Sequence, residues 1–225
     1  MRKLFMAFIM SLMTVSALAN GVYIDQEGSN STVYIEQDGT GLSFGTATTS
    51  VSLEGDYQDL TFKQIGTSNV FDILHAYGDN LTMSWQALDT DNLFKYRSGN
   101  SVSNSTVIAY ANGTNNEVYQ TFTGTSALSY SYIRAHLTGN YNIITQNMGV
   151  SGAKSDITAT GNYNEVTTTQ TGYSGTTANS GHSITVGITG SSNTVDITQS
   201  NTTQQNTVNL TINGSNNTHT ITQTD

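Results

Sequence analysis

A glycine followed at fixed distances by Asn, two apolar residues and Gln recurs along this chain, and nothing else in the sequence constrains the fold as tightly. Counting the glycine as zero, Gly190 is followed by Asn193 at +3, Val195 at +5, Ile197 at +7 and Gln199 at +9. The same frame places Asn217, His219, Ile221 and Gln223 after Gly214, and Asn164, Val166, Thr168 and Gln170 after Gly161. After Gly28 it places Ser31, Val33, Ile35 and Gln37; after Gly55, Gln58, Leu60, Phe62 and Gln64. Weaker copies follow Gly66, Gly113 and Gly139. All four offsets share one parity. Residues two apart in a strand point to one face, so Asn, both apolar residues and Gln should face the same way. Between them stand polar residues, such as Thr194, Asp196 and Thr198, or Thr218, Thr220 and Thr222. That alternation is the signature of a half-buried strand. The glycines Gly28, Gly39, Gly55, Gly66, Gly161, Gly190 and Gly214 are then expected in turns, where Gly tolerates positive φ.

One such strand has too little core to stand alone, but stacked copies cover one another. Like side chains then line up about 4.8 Å apart. Buried Asn and Gln are costly without partners, and a ladder of amides supplies them. The expected fold is all-β: a β-solenoid of stacked strand-turn-strand repeats with inward Asn/Gln and apolar ladders. Composition agrees. The chain has no Pro, which could not donate to a ladder. It has no Cys, so burial and backbone hydrogen bonds must hold it. Fixed spacing also argues against a disordered Thr/Asn/Gln-rich chain.

Residues 1–19 read differently. Arg2 and Lys3 precede an apolar run from Leu4 to Leu18, and Ala17-Leu18-Ala19 is a small-x-small cleavage site. The run is too short for a membrane span and reads as a secretory signal peptide. The expected organisation is a signal peptide over 1–19 and a repeat domain over 20–225. The stretch of about 87–137 fits the frame poorly and is expected to be irregular. Cleavage would leave five basic residues against 16 acidic ones, a net charge of −11. Such a chain has no electrostatic reason to bind nucleic acid or an anionic membrane.

The repeat resembles the curlin family of curli fibre subunits. In that repeat a Gln stands two before Gly, with Asn at +3, a small apolar residue at +5 and Gln at +9. Gln26-Glu27-Gly28, Gln37-Asp38-Gly39, Gln64-Ile65-Gly66 and Gln170-Thr171-Gly172 carry the junction here. The resemblance covers about 20–39, parts of 55–86 and most of 139–225. It implies a β-solenoid with two strands per turn, secretion through an outer-membrane pore, and polymerisation with itself or a related subunit into extracellular amyloid fibres for adhesion and biofilm. No integral membrane span is expected.

No catalytic motif stands out, and the chain is expected not to be an enzyme and to need no metal or cofactor. His75, His136, His182 and His219 are widely separated, and no Cys is present. The outward threonines suggest a second reading, a non-polymerising binding module for ice, glycan or a host surface. A phage-encoded or virion-associated adhesin would use the same solenoid as a stalk. Tyr130, Tyr132, His136 and Tyr141 form a candidate adhesive cluster.

Overall fold

A computed structural model describes residues 21–22, 24–41, 43–45, 51–67, 70–77, 80–88, 92–98, 105–113, 115–121, 132–139, 141–147, 154–161, 163–171, 182–200 and 206–224. Residues 1–19, expected to be a signal peptide, lie outside the described residues. Strands form where apolar or β-branched residues alternate with polar ones, and every named pairing is parallel. They make two sheets of eight and 11 strands. Sheet I holds, in stacking order, Ser31–Thr40, Gln58–Thr67, Thr82–Leu88, Thr106–Asn112, Tyr132–Thr138, Lys154–Thr160, Ser183–Ser191 and Thr207–Ser215. Sheet II runs from Gly21–Val22 and Asp25–Glu27 through Ser43–Phe44, Val51–Glu54, Val70–Tyr77, Leu93–Ser98, Glu117–Val118, Ile143–Asn147, Glu165–Thr171 and Thr194–Ser200 to Thr218–Thr224. The chain alternates between the sheets as it climbs, so the fold is a β-solenoid.

Both sheets turn their apolar columns inward onto one continuous core. In sheet II one column stacks Phe44, Phe71, Phe94, Val118, Ile144, Val166 and Val195. Its three phenylalanines form a ring stack at 5.1 and 5.2 Å between centroids. From sheet I, Phe62 and Trp85 lean into this stack at 4.4 and 5.1 Å. Where those bulky rings end, Ala109, Ala111, Ala135 and Ala159 take over the inward positions of sheet I. Large and small side chains thus share one buried core.

The stretch expected to be irregular, about 87–137, contains strands Leu93–Ser98, Thr106–Asn112 and Tyr132–Thr138, all paired with both neighbours. The frame misses these strands because it relies on Gly and Gln as landmarks. Here Ala87, Ala111 and Leu137 occupy the Gln column of sheet I, and Ser105 holds the position of Asn. The ladder needs an inward residue that fills its place, not one residue type.

The single frame also divides into two. Gly28 and Gly55 precede strands of sheet I, whereas Gly39, Gly66, Gly190 and Gly214 lie in the last residues of sheet I strands, and Gly161 directly after one, at the corner that leads into sheet II. The second corner repeats its spacing strictly. Eleven residues separate Val33 from Phe44, Leu60 from Phe71, Val107 from Val118, Ile133 from Ile144 and Ile184 from Val195. The return from sheet II to sheet I varies, from 11 residues between Ile144 and Ser155 to 18 between Val166 and Ile184.

Glycine at the strict corner is required twice over. Gly139, Gly161 and Gly190 have φ of 134°, 136° and 149°. A Cβ at Gly190 would also overlap the carbonyl oxygen of Gly161 beneath it, and the same holds for Gly161 over Gly139. Two residues later the chain turns through a left-handed residue: Asn115, Tyr141, Tyr163, Ser192 and Asn216 all have φ between 59° and 61°. Asn accepts this conformation readily, whereas for Tyr it costs about 1–2 kcal/mol.

Candidate assembly interface

The left-handed residue delivers the next side chain into the core, and that residue is the ladder Asn. Asn142 Nδ2 donates to Asn116 Oδ1 at 3.0 Å, Asn164 to Asn142 at 2.6 Å, Asn193 to Asn164 at 2.7 Å and Asn217 to Asn193 at 2.6 Å. Each backbone carbonyl of this column also accepts from the next rung, as Asn193 O does from Thr218 N at 3.0 Å. The amide ladder is a property of sheet II. In sheet I the matching buried positions hold Gln58, Leu81, Ser105 and His182; there His182 Nδ1 lies 3.2 Å from Asn206 Oδ1.

Glutamines form shorter ladders. Gln64 Nε2 donates to Gln37 Oε1 at 2.9 Å and Gln170 to Gln199 at 3.2 Å. Gln120 donates to Gln146 at 2.6 Å, and Gln146 reaches Ser155 across the core. Trp85 Nε1 completes Gln64 Oε1 at 3.1 Å, an amide–indole bond the repeat frame did not anticipate. Val33, Ile35 and Gln37, and Leu60, Phe62 and Gln64, lie on sheet I; the residues of the Gly161, Gly190 and Gly214 repeats lie on sheet II.

Ladders end at the last rung. Among the described residues no strand pairs with the outer edge of Thr207–Ser215 or Thr218–Thr224. Ile197 is fully buried, but Ile221 directly above it is 44% exposed. Val208, Leu210 and Ile212 are only partly covered, and Gln223 faces solvent. His219 takes the position that eight apolar residues, from Val22 to Val195, hold below it. At the other end Val33, Ile35 and Ile24 are likewise partly covered core residues.

The two ends correspond position by position. Following the pairings through sheet I, Val33 shares its column with Val208, Ile35 with Leu210, Gln37 with Ile212 and Gly39 with Gly214. In sheet II, Val22 shares its column with His219, Ile24 with Ile221 and Gln26 with Gln223. The first rung carries Glu27, Glu36 and Asp38 at exposed outward positions, and among the described residues the last rung has no charge at its own.

The outer faces carry scattered polar chemistry. Lys63 bridges to Glu36 at 2.8 Å and holds its carboxyl below the usual range. Arg97 lies 2.5 Å from Asp72. Tyr119 donates to Glu117 at 2.6 Å, which with burial pushes its hydroxyl up to about 12. Burial and the nearby Arg134 guanidinium lower the pKa of His136. The expected aromatic cluster does not converge. His136 stacks on Tyr110 at 5.0 Å and Tyr132 bonds Asp156 at 3.2 Å on the face of sheet I, while Tyr141 stands at the corner against Tyr163; Tyr130 lies outside the described residues. Sheet II presents outward threonine columns, with Thr169, Thr198 and Thr222 stacked in one of them. No group of three or more His, Asp or Glu residues is placed to hold a metal among the described residues. No helix among them is long and apolar enough to cross a membrane.

Compared with protein-family models, with curated proteins and with solved structures, the chain matches none.

Proposed function

We propose that this chain is a secreted, curlin-like structural protein that stacks head to tail into extracellular amyloid-type fibres serving adhesion and biofilm matrix. The observation that supports the reading is the correspondence of the two end rungs. A second copy set in register on the last rung places Val33 over Val208, Ile35 over Leu210, Ile24 over Ile221, Gln26 over Gln223 and Gly39 over Gly214, while Gln37 meets Ile212 and Val22 meets His219. Exposed edges with free N–H and C=O groups template such pairing. Charge favours this polarity, because the acidic outward positions of the first rung meet an uncharged last rung. Two first rungs brought together would oppose carboxylates. In this reading removal of residues 1–19 leaves the first rung free to dock, the partner is the chain itself or a related subunit, and export uses an outer-membrane pore.

The test places lysine at the open end. Leu210→Lys with Ile221→Lys should leave the stack beneath folded, since both positions lie on the last rung. It should abolish thioflavin-positive growth and the ability of wild-type seeds to elongate with the variant. A mature wild-type chain that stays monomeric at high concentration refutes the reading.

The outward threonine columns of sheet II favour one alternative, a flat hydroxyl array that binds ice or glycan. Glu165 and Asp196 interrupt the array, which weighs against a lattice match. Thermal hysteresis of the monomer would carry this alternative, and its absence at high concentration removes the ice-binding form.

A further inference from the structure

Tyr141 and Tyr163 do not follow from the needs of the fold. They occupy one corner position on successive rungs, each between a corner glycine and a ladder Asn. Both are held at left-handed φ, 61° and 60°. Other rungs fill that position with Asn115, Ser192 and Asn216. Aromatic residues are poorly suited to this conformation, and here they contribute nothing to the core, being 53% and 55% exposed. Their rings nevertheless lie parallel, 5.0 Å apart at an interplanar angle of 4°. Backbone strain retained at an exposed, ordered pair is a pointer to use.

We propose that Tyr141 and Tyr163 are a site of oxidative cross-linking, in which a one-electron oxidant of the peroxide-dependent haem peroxidase class couples the two phenols into dityrosine. Each phenol loses one electron and one proton. The two phenoxyl radicals join through a carbon–carbon bond between ring positions ortho to the oxygens. The hydrogen displaced at each ring carbon then moves to its own oxygen through solvent and restores both phenols. One peroxide accepts the two electrons and two protons and leaves as two waters.

Geometry supplies what this chemistry needs. The hydrogen bonds from Asn164 Nδ2 to Asn142 Oδ1 at 2.6 Å and from Gly139 N to Thr160 O at 2.9 Å fix the two corners against each other. Radical coupling is thereby a reaction of neighbours already in contact, the condition under which effective concentration is high. Exposure lets the oxidant reach both rings. Other tyrosines are placed differently: Tyr96 is fully buried, Tyr110 faces His136, and Tyr119 is bonded to Glu117. The product would staple two consecutive rungs covalently in a chain that has no cysteine to do so. The inference does not depend on fibre formation.

The experiment treats the dilute mature chain with peroxidase and hydrogen peroxide, follows dityrosine fluorescence, and maps the linked peptides by mass spectrometry. The expected principal product is an intrachain 141–163 link. Tyr163→Phe and Tyr141→Phe keep the ring stack and the fold, checked by circular dichroism, and each should lower the intrachain yield at least ten-fold. Tyr57→Phe, an exposed tyrosine at the other corner, should leave it unchanged. Unfolding in urea before oxidation should remove the selectivity. An unchanged yield in Tyr163→Phe, a link spread over other tyrosines, a link formed only between chains, or no link at all overturns the proposal.

Discussion

Replacing Gly190 with alanine puts a methyl group where the carbonyl oxygen of Gly161 already sits. The neighbouring rungs leave that carbonyl little room to move, because Gly161 N is itself bonded to Thr189 O at 2.9 Å. Two costs add. The φ of 149° belongs to a region nearly reserved for glycine, worth about 1–3 kcal/mol. Forcing the corners apart is overpacking, worth another 1–3 kcal/mol or so. A total of about 2–6 kcal/mol is a large share of the roughly 5–15 kcal/mol that holds a domain together. Two other glycines separate the terms. Gly28 has φ of 105° but open space around it, so Gly28→Ala should cost only about 1–2 kcal/mol. Gly187 has open space and no positive φ, so Gly187→Ala should be neutral or stabilise by up to about 1 kcal/mol. Urea unfolding followed by circular dichroism reads the series. At a slope of about 2–3 kcal/mol per molar, Gly190→Ala should lower the midpoint by roughly 1–3 M. A Gly190→Ala midpoint no lower than that of Gly28→Ala would show that the stacked carbonyls are not the constraint.

Three further outcomes follow from the ladders and the outer face. Asn164→Ala removes the acceptor of Asn193 Nδ2 and the donor to Asn142 Oδ1 in a buried column, so it should cost about 2–5 kcal/mol in the same unfolding assay. His219→Val restores the apolar column at the open rung and should speed seeded elongation several-fold, read as the initial slope of thioflavin fluorescence; a slower rate counts against in-register docking. Glu117→Gln removes the carboxylate that raises the Tyr119 hydroxyl to about 12 and should move its ultraviolet titration back toward 10.

Much of the architecture can be read from parity alone. Asn193, Val195, Ile197 and Gln199 share a face in the sequence and in the solenoid. What parity cannot tell is which sheet a repeat joins, because Gly28 and Gly190 lead into the next strand through the same kind of corner: a positive-φ glycine, then a left-handed residue two positions on. Sheet membership follows from the sum of two connections, and one of them varies in length. The amide ladder of sheet II was legible through Asn164, Asn193 and Asn217, yet the indole of Trp85 capping Gln64 was not, since it joins different residue types in different columns. Tyr141 and Tyr163 were visible as tyrosines, but their contact depends on a step of 22 residues making one full turn.

The unequal connections have a consequence for how such a chain can change. Adding one residue to the eleven-residue step would swap every inward side chain of the following strand for an outward one. That edge therefore admits replacement but not insertion. The opposite edge already absorbs steps of different length without losing phase. New segments gained over time, or introduced by design as epitopes or binding loops, would collect along that one seam, one above another, and leave the staircase beneath them undisturbed.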